Sequence, residues 1–167
     1  MTAVRHQIDY ATSKRQDRLL VDADHDPYHA KRKIKSPAVC PDCSAVYQDG
    51  RWTWRDATIE ANEYRCPACQ RIADKAPAAF LTIRGKFFKK HRRELLNLIE
   101  NTAARERESH PLKRIINTEE TERSFVLNCT DAHLARGLGD ALHNAYGGTI
   151  EYQYSKGDIL LRVTWRR

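Results

Sequence analysis

The chain has 167 residues, 31% of them charged, with a net charge of +7 and a pI near 9.3. That length suits one domain or two small ones around a modest core, and the cationic balance favours a polyanion, nucleic acid before an anionic membrane surface. No apolar run approaches a membrane span, and the opening MTAVRHQIDYATSKRQDRLL lacks the apolar stretch and cleavage site of a secretory signal; the expectation is a cytoplasmic protein with reduced thiols and no membrane partner.

Residues 1–36 read as a polar tail, flexible or folding only on a partner. Within it DADHDPYHAKRKIK runs from an acidic patch into the cations Lys31, Arg32, Lys33 and Lys35. Asp24, His25 and Asp26 read as a solvated turn ended by Pro27 rather than as metal ligands.

Residues 37–76 form a second unit, punctuated by Pro37 and Pro77. It holds four of the five cysteines, spaced C-x2-C-x22-C-x2-C. Two residues between ligands let one tight turn aim both sulfurs at one ion, and two such turns supply four tetrahedral corners. Cys40, Cys43, Cys66 and Cys69 are therefore the expected ligands of Zn2+ in a zinc ribbon, with iron as the alternative that geometry does not separate. A redox role would need only one pair. So short a unit buries too little to fold alone, and zinc supplies on the order of 10 kcal/mol. Four thiolates leave no open coordination position, so the ion is structural. The long gap fits a β-hairpin, and Ser44 and Gln70 stand where such turns often carry glycine.

Inside the gap, GRWTWR reads as a strand with Trp52 and Trp54 on one face and Arg51, Thr53 and Arg55 on the other. Two readings stand side by side. The tryptophans stack on unpaired bases while the arginines meet phosphates, or the tryptophans join Tyr47 and Tyr64 in a small core over the zinc, leaving Arg51 and Arg55 outward.

Residues 78–167 change character. AAFLTIRG reads as a strand and Phe87 to about Arg107 as a helix whose apolar face carries Phe88, Leu95, Ile99 and Ala103. KRIIN and RSFVLNC are two strands around the polar turn TEETE. TDAHLARGLGDALHNAYGG is a second helix, started by Thr130 or Asp131 and ended by Gly147 or Gly148. A hairpin turning at Lys156-Gly157 closes the chain. The order β-α-β-β-α-β-β predicts an α+β fold, a ferredoxin-like antiparallel sheet with two helices on one face.

The first helix starts against its dipole. Arg84, Lys86, Lys89, Lys90, Arg92 and Arg93 crowd a terminus that favours acids. Free N–H groups with these cations make an anion site; the alternative is a solvated face offset by Glu94, Glu100, Glu106 and Glu108. Arg114, Arg162, Arg166 and Arg167 widen the cationic footprint. Cys129 reads as a buried small side chain, and Gly137 and Gly139 in the second helix imply close packing or a contact surface. His91, His110, His133 and His143 have no nearby carboxylate or serine arranged as a catalytic group, and no phosphate loop, dinucleotide fingerprint or nucleophile elbow occurs, so a non-enzymatic protein is expected.

The zinc unit followed by a small α+β domain resembles the family of nonsense-mediated decay factor three, the large ribosomal subunit export adaptors. The resemblance is carried by VLNCTDAHLARGLGDAL and YGGTIEYQYSKGDILLRVTW. The whole chain is similar to a group of short bacterial zinc-ribbon proteins sharing HDPY, CPDCSAVYQDGRW and HPLKRI. The resemblance implies association with ribosomes or ribosomal RNA, with ribosomal proteins as further partners. It implies no catalytic residue, and one four-cysteine site in place of several removes the implication of export. The resulting expectation is a zinc-dependent RNA-binding protein acting in ribosome assembly, quality control or stress. The alternative is a DNA-binding regulator or protein-interaction adaptor built on a zinc ribbon.

Overall fold

A computed structural model of the chain describes residues 6–7, 26–28, 33–154 and 160–167. The polar stretch 1–36 therefore lies mostly outside the described residues, as do the Asp24–His25 pair, Lys31, Arg32 and the Lys156-Gly157 turn. Among the described residues no helix is long and apolar enough to cross a membrane.

The fold is mixed α+β, with three helices and two mixed sheets among the described residues. The smaller sheet belongs to the cysteine unit. Strands β2 (Ala38–Val39), β3 (Val46–Gln48), β4 (Arg51–Thr53) and β5 (Asn62–Glu63) lie in the order β4-β3-β2-β5, followed by helix α1 (Pro67–Asp74). The helix was not anticipated. Cys66 caps it, and Pro67 stands at its first position, where a missing N–H costs nothing.

The larger sheet is built from β6 (Ala79–Arg84), β7 (Ile115–Glu120), β8 (Ser124–Cys129), β9 (Thr149–Tyr154) and β10 (Leu161–Arg166), interleaved with α2 (Lys86–Ser109) and α3 (Ala132–Tyr146). A two-residue strand β1 (His6–Gln7) adds to its edge, giving the order β1-β9-β10-β6-β8-β7. The β-α-β-β-α-β-β sequence of elements is as expected. The sheet is mixed rather than antiparallel, because β10 pairs parallel with β6 and separates it from β9. Side-chain burial accounts for the choice. Leu161, Val163 and Trp165 are each at most 1% exposed, so β10 takes the interior place and β9 moves outward.

Strict alternation gives the sheet one buried face. Ala79, Leu81 and Ile83 of β6 join Phe125, Leu127 and Cys129 of β8 and the inward side chains of β10 in one core. Phe88, Leu95 and Ile99 of α2, with Leu134, Leu138 and Leu142 of α3, fill its other side. The buried Trp165 indole N–H donates to Gly147 O at 2.9 Å. Asp131 caps α3 by accepting from Leu134 N–H at 2.9 Å, and Gly147 ends it at φ 70°.

The two glycines of α3 have different reasons. A Cβ on Gly139 would stand 2.8 Å from Ile150 Cδ1 and 2.9 Å from Val163 Cγ1, so glycine lets the helix settle onto the sheet. A Cβ on Gly137 would meet nothing within 4 Å. Gly137→Ala is expected to raise stability by about 1 kcal/mol through helix propensity, whereas Gly139→Ala lowers it by about 1–3 kcal/mol through overpacking. Thermal or denaturant unfolding of the two variants checks the opposite signs.

Candidate metal centre and the surrounding cations

The cysteine pairs are presented by two unlike turns. Cys40 directly follows β2; its N–H donates to Ala45 O and its carbonyl accepts from Ser44 N–H, both at 2.8 Å. Ser44 takes a left-handed φ of 63°, the conformation glycine usually supplies there. The second pair opens α1 instead. Cys66 Sγ accepts from Cys69 N–H at 3.4 Å, and Gln70 simply continues the helix. Both thiols thus sit at the positive end of a helix, which opposes only in part the burial that disfavours their thiolate form.

The four sulfurs lie within 4.8 Å of one another, and Cys43 and Cys66 Sγ are 3.8 Å apart. Tetrahedral arms of about 2.3 Å place sulfurs about 3.8 Å apart, whereas a disulfide needs about 2.05 Å. The donor set therefore fits a metal ion held by four thiolates. Cys40, Cys66 and Cys69 are buried, so the site is closed to solvent chemistry.

Proton chemistry sets how the site loads. Burial pushes the Cys40 thiol up, but hydrogen bonds from the backbone N–H groups of Cys66, Asp42 and Cys43 together outweigh it and bring it down to about 7. Burial raises Cys66 far above the usual thiol range, and it raises Cys69 to about 11 despite the opposing Arg114. Metal must displace those protons. Affinity should therefore climb about tenfold or more per pH unit between about pH 6 and 8. Calorimetry of metal binding in buffers of different ionisation enthalpy would show proton release; a pH-independent affinity would exclude thiolate ligation.

The structure adds a residue that cysteine spacing does not reveal. Arg114 Nη2 lies 3.1 Å from Cys66 Sγ, 3.3 Å from Cys69 Sγ and 3.5 Å from Cys43 Sγ. The guanidinium is held in place from behind. Its Nε donates to Pro111 O at 3.0 Å, and Arg114 N–H donates to the buried Thr130 hydroxyl at 2.8 Å. Arg114 is thus committed to the thiolates rather than to the wider cationic surface. A divalent ion with four thiolates carries net negative charge, which a fixed guanidinium offsets through charge-assisted N–H···S bonds. Arg114→Ala is expected to cost about 10–100-fold in metal affinity at unchanged stoichiometry, as loss of outer-shell partners does elsewhere. Competition with a chelating dye measures it.

Trp52 and Trp54, expected on one face, are parted. Trp52 lies 5.4 Å from the Tyr47 ring and 6.3 Å from the Tyr64 ring and packs against the cysteine cluster. Trp54 falls beyond the end of β4, where its indole N–H donates to Arg107 O at 2.6 Å beneath the Arg107 guanidinium. An indole leaving the ribbon needs an acceptor, and the last turn of α2 offers unpaired carbonyls. Arg51 and Arg55 are exposed.

At the start of α2, Arg84, Lys86, Lys89, Lys90 and Arg93 are exposed. None of them makes an ion pair among the described residues. Arg92 differs: its Nε and Nη2 reach both carboxylate oxygens of Glu120 at 3.1 and 2.7 Å. Arg167 lies over the Phe87 ring. The helix start is also partly filled, because Phe87 N–H donates to Arg167 O at 3.4 Å and Gly85, at φ 108°, leaves room for that carbonyl. Cys129 is fully buried in β8, and burial pushes its thiol up to about 12. Comparison with protein-family models, curated proteins and solved structures finds no match.

Proposed function

We propose that the chain is a non-catalytic, zinc-dependent RNA-binding protein, acting at ribosomes or on ribosomal RNA in the cytoplasm. The observation that carries this reading is the group Arg84, Lys86, Lys89, Lys90 and Arg93. They are five exposed cations around a helix start with no acid in its first turn and no carboxylate partner among the described residues. Concentrated charge of one sign at a helix start costs stability unless an anion meets it. Arg51 and Arg55 are exposed on the ribbon, which meets the far end of α2 through Trp54, and form a separate cationic patch. The closed thiolate site supports a scaffolding role for zinc: it offers no open position for substrate, and its ligands pin the ribbon beside the α+β unit through Arg114. The likeness of VLNCTDAHLARGLGDAL to the export adaptor family makes ribosomal RNA the first polyanion to try.

If five cations meet phosphates, log affinity falls against log salt with a slope of about −3.5, or about a hundredfold loss between about 50 and 200 mM salt. Lys89→Gln with Lys90→Gln should flatten that slope by about 1.4. Fluorescence anisotropy with a ribosomal RNA fragment, competed by duplex DNA, provides the measurement. A salt-insensitive complex would refute the reading, and preference for a defined duplex DNA would replace it with a DNA-binding regulator.

A further inference from the structure

The face of the larger sheet opposite the helices is largely polar, and it is cationic at the C-terminal ends of its two central strands, β6 and β10. Arg84 and Arg166 are register partners on the parallel strands β6 and β10, both pointing away from the core because their neighbours Ile83 and Trp165 point into it. Adjacent strands lie about 4.8 Å apart, and like charges side by side destabilise a sheet. Neither guanidinium has a hydrogen bond or ion pair among the described residues. One step along the strands Thr82 pairs with Thr164, and beyond them Arg162 lies over the Phe80 ring at 5.7 Å. Arg84, Arg166, Thr164, Thr149 and Glu151 together line a shallow cavity of about 190 Å³.

We propose that this cavity is a ribonucleotide site: Arg84 and Arg166 clamp one backbone phosphate of an unpaired RNA strand lying across the open sheet face. The inference rests on the RNA reading above and gives it a second surface, distinct from the α2 lysines. Two guanidinium forks side by side match the several oxygens of a phosphate. The threonine hydroxyls donate to further oxygens or accept from sugar hydroxyls. Glu151 makes the cavity selective. A carboxylate repels a second phosphate but accepts a hydrogen bond from a ribose 2′-hydroxyl, the group that separates RNA from DNA.

The test uses the full chain loaded with metal and isotopically labelled. Its amide and guanidinium signals are followed by NMR during titration with inorganic pyrophosphate, a short oligouridylate and the matching oligodeoxyuridylate. Pyrophosphate and oligouridylate should both move the Arg84, Arg166 and Thr164 signals. Arg84→Gln with Arg166→Gln should weaken oligouridylate binding by roughly tenfold at low salt, with metal content unchanged and unfolding temperature unchanged or raised. Oligouridylate should be favoured over its deoxy counterpart by roughly tenfold, and Glu151→Ala should tighten both while erasing the preference. If oligouridylate binds but the arginine signals stay still and the double variant binds like the parent, this site is overturned and the RNA reading survives on Lys86, Lys89, Lys90 and Arg93 alone, without Arg84. If pyrophosphate seats on the pair while no RNA binds anywhere, the phosphate clamp stands and the RNA reading falls. If neither ligand moves the pair, the clamp is wrong whatever α2 does.

Discussion

One guanidinium connects the two halves of this fold. Arg114 belongs to the segment leading into β7, yet its outer nitrogen sits among three cysteine sulfurs of the other unit. A half-buried cation gains from a counter-charge, and a buried thiolate cluster needs one in return. The cysteine unit alone would therefore present an anion without its fixed counter-charge, and the β7 entrance an arginine without its thiolate partners. Trp54 on the last turn of α2 supports the same junction. The segment before the ribbon packs on the cysteine unit instead: Asp26 pairs with Arg71 of α1 at 2.6 Å while the Arg71 guanidinium lies over the Tyr28 ring. The contact between the units is thus built from charge and ring contacts, and metal loading decides whether its central charge pair exists.

This places the remaining cations in contrast. Arg71, Arg92, Arg107 and Arg114 all have partners within the protein: a carboxylate for Arg71 and Arg92, an indole ring for Arg107, thiolates for Arg114. Lys86, Lys89, Lys90, Arg93, Arg84 and Arg166 have none among the described residues. A net charge of +7 could be spread to keep a protein soluble. Those unpaired cations stand around the β6–α2 junction, while Lys33, Lys35, Arg51, Arg55, Lys75, Arg105 and Arg123 also lack an ion pair among the described residues and lie elsewhere in the chain.

Much of the architecture was legible because it rests on local signals. The alternation in AFLTIR, the apolar stripe of α2 and the Asp131 cap each announce their element within a few residues. The paired cysteines announce their cluster because two-residue spacing has few other uses. What escaped was decided at a distance. A hairpin of β9 and β10 can add to β6 by either strand, and only the relative burial of Trp165 and its neighbours selects β10. The polar TEETE looked like a turn, but β7 runs on to Glu120 because Glu119 accepts from Asn128 and Glu120 from Arg92. Helix α1 had a local signal, Cys-Pro at its start, which the metal-turn reading of the same residues obscured. Arg114 had none: its sulfur partners stand 45 to 71 residues away in the chain.

Gly85 is where these threads meet. Up to Arg84 the chain is a strand whose alternate side chains leave the core on the open sheet face; from Lys86 it is a helix whose first turns carry cations on the outside. A single residue makes the change of direction, at a φ of 108° that side chains disfavour and against the Arg167 carbonyl, which admits no Cβ. That backbone contact closes the corner between β10 and α2, so Arg166 is fixed beside Arg84 by the same geometry that starts the helix. The two cationic surfaces are therefore contiguous around one rigid turn. Under the RNA reading proposed above, one flexible strand passes from one surface to the other.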